Sequence, residues 1–461
     1  LGQAYFFRAW CYYLLMKWYG GVPLVSEVQE PVPSSFTPRA SARETKNFIL
    51  ADLDESARLL APYTMNGGWG GGNFGRVTTG TALALKGRVL LLWASPLFNR
   101  ANEQSRWTEA YQTMRAEKDS IDACGYHLYQ TGNNVNGSDF AQMFLQSSTN
   151  PEAVFVTLYN NIAGDDLDNQ KNNSWERWIR PKNATGSGLN ASAMLVDIFP
   201  MSDGKIPAGT GTYTKLQTSD STYDASLPFM NRDPRFYRTF AFPGFRWAYN
   251  GNASEANSLY PSDGANYVLW NYCWYTDATG NDDPEATNNY FADGLLNSGK
   301  TGVYVRKKSD DLDVNASPLY TWQATAANGG FSYSGAQCIE IRYAEVLLNL
   351  AEAACGAGQM GEAVSLLQQI RARAGYTAAN NYGLPTNLTG DQAACMSAIL
   401  YERQIEFAYE GKRMDDMRRW MLYDGGATQP EGAPADWTLT GWNGNTCTWL
   451  GVKPLNGQRR E

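Results

Sequence analysis

The strongest constraint on this chain's fold lies in residues 339–420. Apolar or small residues recur at Ala344, Leu347, Leu348, Ala351 and Cys355, the three- and four-residue spacing of one helix face. The pattern breaks over residues 356–361, restarts at Ala363, Leu366, Leu367, Ile370 and Ala374, and stops at Gly375. Two amphipathic helices joined by a short glycine turn predict an antiparallel pair. The small residues near the turn, Ala351, Ala354, Gly358 and Ala363, let the helices approach closely. This is the tetratricopeptide plan, in which roughly 34 residues make one helix–turn–helix unit.

A second pair follows. Glu402, Arg403, Glu406, Glu410, Arg413, Asp416, Arg418 and Arg419 alternate with Ile405, Phe407, Tyr409 and Trp420. Charges of both signs among apolar residues predict ion pairs packed between helices, with arginine forking onto Glu406 or Asp416. They read as scaffold and not as an active surface. The pattern E-R-x-x-E-apolar-x-x-E-G-x-R-x-x-D-x-x-R-W closely resembles the C-terminal hallmark of SusD/RagB-like proteins, surface nutrient-binding lipoproteins of Bacteroidetes-type bacteria.

The opening of the chain carries a second resemblance. A helix with apolar residues at Phe7, Cys11, Leu14, Leu15 and Trp18 ends at Gly20-Gly21-Val22-Pro23, and residues 5–24 resemble a segment of the same family. Ser41 and Glu44 read as a capping box ahead of Ile49, Leu53, Ala57 and Leu60. Thr79 starts a third helix with Ala82, Leu85, Val89, Leu92 and Trp93 on one face. A fourth carries Trp107, Ala110, Tyr111, Met114 and Ile121. Residues 75–91 are again family-like. The chain is therefore expected to be mainly α, a superhelix of tetratricopeptide-like pairs in one SusD-like unit. Residues 1–125 and 337–424 would supply the pairs, 126–336 an irregular ligand-facing insertion with short strands, and 425–461 a closing loop region.

The insertion is rich in Gly, Asn, Asp, Ser and Pro, with strand-like runs at 153–157 and 302–306 and a short helix at 190–199. Residues 231–238 and 301–307 resemble family segments and read as positions that hold the insertion against the helices. Irregular segments on a rigid frame are where binding usually lives.

Four features exclude common function classes. A net charge of −8 without a basic block argues against nucleic acid and anionic headgroups. A single histidine, His127, removes His-rich metal sites and His–His pairs, and no G-x-S-x-G elbow is present. The glycine-rich stretch around Trp69 and Asn73 runs into Arg76-Val77 where a phosphate loop would have Lys-Ser/Thr. Asp165, Asp166 and Asp168 lack the glycine and distal glutamate of a calcium loop, and like Asp282–Asp283 and Asp310–Asp313 they read as solvated acidic loop. No metal or cofactor is expected. The seven cysteines form no C-x-x-C. Cys11, Cys124, Cys355 and Cys395 are expected to pack as small hydrophobes. No segment is long and apolar enough to cross a bilayer as a helix.

What stands out is aromatic content, 15 Trp and 27 Tyr among many Asn and Gly. Flat rings beside amides and carboxylates suit sugars, whose C–H faces stack while their hydroxyls are hydrogen-bonded. The candidate ligand residues are Trp270, Tyr272, Trp274 and Tyr275, then Trp69, Asn73, Trp175 and Trp178, with Trp247 and Tyr249 as a third cluster and Tyr290 and Trp322 as outliers. If 270–274 is extended, Trp270, Tyr272 and Trp274 share a side.

The resemblance implies a non-enzymatic binding protein that captures glycans on aromatic loops. It would hand them to a SusC-like TonB-dependent outer-membrane transporter, from a position lipid-anchored at the cell surface through a cysteine upstream of Leu1. Other readings are a peptide-binding RagB-type member, a tetratricopeptide scaffold for another protein, and a glycoside hydrolase, which needs two carboxylates roughly 5 to 10 Å apart across a cleft.

Overall fold

The computed structural model describes residues 1–29, 37–65, 67–69, 72–132, 134, 136–146, 149–162, 169–180, 189–208, 215–223, 229–241, 245–249, 268–272, 275–276, 303–309, 319–323, 330–423, 428–430 and 455–456. Four long helices open it: α1 (Gly2–Tyr19), α2 (Ala42–Leu59), α3 (Thr79–Ala94) and α4 (Gln104–Ala123). Each packs on the next. Four more close it: α5 (Tyr343–Gly356), α6 (Met360–Ala374), α7 (Gln392–Glu406) and α8 (Arg413–Arg419). Helix α5 lies against α3 and α4 on one side and α6 and α7 on the other, so helices far apart in sequence form one continuous stack. This mainly helical, tetratricopeptide-like arrangement buries α5 along its whole length.

The helix ends follow from local chemistry. The Ser41 hydroxyl accepts from the Glu44 amide at 3.2 Å, while Glu44 Oε2 accepts from the Ser41 amide at 2.8 Å. Two orphan donors of the first turn are thereby satisfied. Ser41→Ala should lower stability by about 1 kcal/mol in urea unfolding; an unchanged midpoint would mean that water replaces the cap without loss. At the other end of a helix, α6 stops at Gly375, whose φ of 107° suits glycine.

Helix α1 departs from its sequence reading. Its buried face is Phe6, Ala9, Tyr12, Tyr13 and Met16, whereas Phe7, Leu15 and Trp18 are 46%, 41% and 47% exposed. Cys11 is exposed too, so it does not pack as a small hydrophobe, unlike the buried Cys124, Cys355 and Cys395. The helix is apolar around its circumference, so period alone cannot choose between two stripes. Long-range packing chooses: Phe6 meets Phe155 edge-on at 5.1 Å.

Between α4 and α5 the chain leaves the stack and returns through a two-stranded neck. Strand β1 (Ala153–Thr157) pairs antiparallel with β2 (Cys338–Arg342), Val156 opposite Ile339. Farther out, residues 193–198 form a helix and 304–305 a short strand paired with 240–241.

Buried ion pairs bolt this region to the helices. Five cations, Arg235, Lys307, Arg342, Arg371 and Arg373, face five carboxylates, Glu152, Asp233, Glu402, Glu406 and Glu410. All are essentially buried. Arg235 reaches Glu402 at 2.5 Å and Glu406 at 2.8 Å, and Arg342 reaches Glu406 at 2.7 Å and Glu152 at 3.1 Å. Arg373 pairs with both Glu152 and Glu406. Burial alone would raise the Glu406 pKa, but Arg373, Arg342 and Arg235 outweigh it and hold the carboxyl well below the usual range. Glu410, treated the same way by Arg342 and Lys307, falls to about 2. A second cluster ties α5 to α8. Arg403 forks onto Asp416 with two 3.0 Å bonds, and Arg419 pairs with Glu352. The charged hallmark is therefore scaffold, as its sequence pattern predicts.

Candidate functional site

A cavity beside two sequence-predicted site residues, Trp69 and Asn73, is built from the glycine-rich loop. The loop leaves α2 past Tyr63, makes a tight turn in which the Thr64 amide donates to the Gly67 carbonyl at 3.0 Å, and returns at Thr78, the N-cap of α3. Glycine is required where backbone approaches backbone. A Cβ on Gly68, at φ 86°, would sit 2.5 Å from the Pro62 carbonyl oxygen, while Gly75, against the Leu158 side chain, is required by its φ of 87°. The loop encloses about 360 Å³, lined by Trp69, Asn73, Phe74, Arg76, Thr78, Tyr126 and Thr149 among others.

Its floor is rigid. The Tyr126 hydroxyl lies 3.0 Å from Thr78 Oγ1, and Thr81 Oγ1 donates to the Val154 carbonyl at 2.8 Å, joining the start of α3 to β1. Burial pushes the Tyr126 phenol up, so it stays protonated at neutral pH. Trp69 is held at three points: Tyr63 stacks on it at 4.1 Å between centroids, its indole N–H donates to the Val77 carbonyl at 3.2 Å, and the Arg76 guanidinium lies 5.1 Å from the ring centre. The Asn73 side-chain amide donates to the Trp69 carbonyl at 2.8 Å.

A second aromatic patch lies in the insertion. Trp175 and Trp178 lie on one helical turn, residues 175–179. The Trp175 indole N–H donates to the Lys307 carbonyl at 3.0 Å, and the Lys308 ammonium is 5.2 Å from its ring centre, so Trp175 is half anchored. Trp178 is 56% exposed. Between them in sequence, Leu158 abuts Gly75, Asn160 binds the 169–171 backbone, and Asn172 donates to the Ile162 carbonyl at 2.6 Å.

Trp270 and Tyr272 lie in a strand, residues 268–272, antiparallel to 245–249 with Trp247 opposite Trp270. Tyr275 is in a two-residue strand paired with 455–456, and the backbone at Trp322 is also strand. Trp274, Tyr290 and the acidic runs at 165–168, 282–283 and 310–313 lie outside the described residues, as do the side chains of Trp270, Tyr272, Tyr275 and Trp322. Sequence reasoning passed over Arg76, Thr78, Tyr126 and Thr149 as site residues. The signal available was their position, Arg76 ending the glycine run and Thr78 opening the next helix. Among the described residues no group of three or more His, Cys, Asp or Glu could hold a metal ion, and no helix is long and apolar enough to cross a membrane.

Comparison with known proteins places this geometry in a family. Residues 151–446 match the SusD family, and residues 1–66 match a family described as starch-binding and associating with the outer membrane. The SusD-like protein P2 of Formosa agariphila is 35% identical over 131 residues, 27% of this chain and 26% of that protein. Two structures from Bacteroides fragilis share the fold. One, a SusD-like protein, has a TM-score of 0.61 at 24% identity, over 99% of this chain and 74% of that one. The other, a SusD-like carbohydrate-binding protein, scores 0.59 at 21%, over 91% and 66%. The chain thus spans about a quarter of the curated relative and two thirds to three quarters of these structures. With the charged C-terminal hallmark buried as scaffold and the family match running through the insertion and the closing helices, the chain belongs to the SusD family.

Proposed function

We propose that this protein captures an oligosaccharide without chemical conversion and presents it to a SusC-like TonB-dependent transporter, held at the outer-membrane surface by a lipid anchor. The observation that carries the reading is the glycine-loop cavity of about 360 Å³, a rigid concave site of ring, amide and hydroxyl groups. Trp178, 56% exposed, offers a further stacking surface, and Trp270, Tyr272, Trp274 and Tyr275 are further candidates on their sequence alone. No two carboxylates face each other across the cavity among the described residues, whereas the clearest carboxylate cluster is locked into ion pairs with arginine. Capture then rests on C–H stacking and hydroxyl hydrogen bonds.

Titration calorimetry of the protein against a panel of oligosaccharides tests this, repeated with Asn73→Ala, Trp178→Ala and Trp270→Ala variants of unchanged melting temperature. Saturable heat with at least one glycan is expected, weakened about tenfold or more where a direct contact is lost. Heat with peptides alone would move the protein to peptide capture, and new reducing ends on long incubation would make it a hydrolase. Loss only in Trp270→Ala would shift the site away from the glycine loop.

A further inference from the structure

The cavity has a charge that the rest of the protein does not. Although the chain carries a net −8, no carboxylate lines the cavity among the described residues, and its one charged side chain is Arg76. The sequence of the loop itself, residues 66–76, contains no Asp or Glu. Arg76 has no carboxylate within ion-pair distance among the described residues, unlike Arg8 on Asp52, Arg58 on Glu55, Lys86 on Asp54 and Glu117, or Arg106 on Glu103 elsewhere in the first four helices. Its guanidinium rests near the Trp69 ring, a placement that fixes the group while leaving its five N–H donors without a carboxylate among the described residues. Thr78, on the cavity wall, caps the 16-residue helix α3, whose positive end adds to the same field.

Trp69 is correspondingly a poor bare platform. With Tyr63 stacked at 4.1 Å and the guanidinium 5.1 Å from its centre, the ring holds its neighbours more than it offers a face. What the cavity presents is a planar, pre-positioned cation above a ring, with the Asn73 and Thr149 side chains nearby. Such a fork matches a planar carboxylate bidentately, and also binds sulfate oxygens.

We propose that the glycine-loop cavity selects an anionic sugar, a uronate or a sulfate ester, with Arg76 as the residue that reads the charge. This rests on the reading of the protein as a glycan-binding one and names the class of glycan. Neutral sugars lose the charge-assisted pair and leave Arg76 unused.

The test is calorimetry with three matched ligands of equal length: an oligogalacturonate, its carboxyl-reduced neutral counterpart, and a sulfated galactan oligosaccharide. Arg76→Gln and Arg76→Lys are run beside the unsubstituted protein. At least tenfold tighter binding of an acidic ligand than of the neutral one is expected. That preference should fall about tenfold in Arg76→Gln, be partly kept in Arg76→Lys, and shrink in 0.5 M salt. Uronate and sulfate arms identify which anion is read. Equal binding of neutral and acidic ligands would overturn the charge selection and leave glycan capture standing. Acidic binding untouched by Arg76→Gln in a protein with unchanged melting temperature would overturn the role of Arg76. Failure of all three ligands, with heat from peptides, would instead remove the glycan reading on which the proposal rests.

Discussion

Glu406→Gln should destabilise the protein by about 3–5 kcal/mol, a large share of the roughly 5–15 kcal/mol that holds a typical fold together. The substitution keeps the shape and removes one charge, but that charge is shared by three guanidinium groups. Arg235 and Arg342 lie 2.8 and 2.7 Å from its oxygens, and Arg373 is paired with it as well. Without it, four carboxylates would face five buried cations, an excess that the interior cannot screen. The lost partners come from 235, 342 and 373, so the neck and the insertion loosen together with α6. Urea unfolding followed by near-UV ellipticity measures the effect. A loss under 1 kcal/mol would show that the cluster is wet and screened, which would also remove the reason for its pairing. The reverse experiment is Glu406 replaced together with its partners by apolar residues, which costs less than the single change if the network specifies geometry more than it stabilises.

The same group fixes the acid response. Glu406 and Glu410 titrate below their unfolded values near 4.3, so the unfolded chain binds more protons as the pH falls. Their stabilisation is fully present above about pH 5 and is lost progressively towards pH 2, the folded value of Glu410. Glu406→Gln deletes one of these groups, so the pH slope of stability across that window should flatten by about one proton.

The helical frame was legible because burial is written twice, once in the spacing of Leu347, Ala351 and Cys355 and once in charges that only make sense in pairs. Arg403 onto Asp416 was readable from local text, the two lying 13 positions apart on adjacent helices. The partners of Glu406 were not, because Arg235 and Arg342 arrive from the insertion and its neck. Helix α1 failed for a different reason: every side was apolar, and only Phe155 and α2 decided which side turned in. The site was the least legible part. Trp69 and Trp178 both stand out in the sequence as loop aromatics, yet one is pinned by Tyr63 and Val77 while the other stands 56% in solvent. That difference belongs to contacts between loops, and spacing along one loop does not encode it.

Gly356→Ala should destabilise the protein by about 2–3 kcal/mol, although alanine is normally the better helix residue. Gly356 is the last residue of α5, and a Cβ there would sit 2.3 Å from Cε3 of Trp107. The gain in helix propensity is at most about 1 kcal/mol and smaller at a helix end, so the clash decides the sign. Trp107 cannot step aside: it is 2% exposed and lies 6.0 Å from Trp420, whose indole N–H donates to Glu352 at 2.7 Å. The strain therefore passes from α4 through two neighbouring indoles into the Glu352–Arg419 pair, across the seam where the first and last sets of helices meet. Arg115 and Tyr111 hold the same seam through Glu362, at 3.0 and 2.5 Å, so the backbone has little freedom to open. A double-mutant cycle with Trp107→Phe separates the terms. Phenylalanine costs stability by itself but vacates the space that the new methyl needs, so the double variant should lie at least about 1 kcal/mol above the sum of the single losses. Strict additivity, or a Gly356→Ala protein as stable as the original, would mean that the seam yields and that the two sets of helices are less tightly joined than their packing implies.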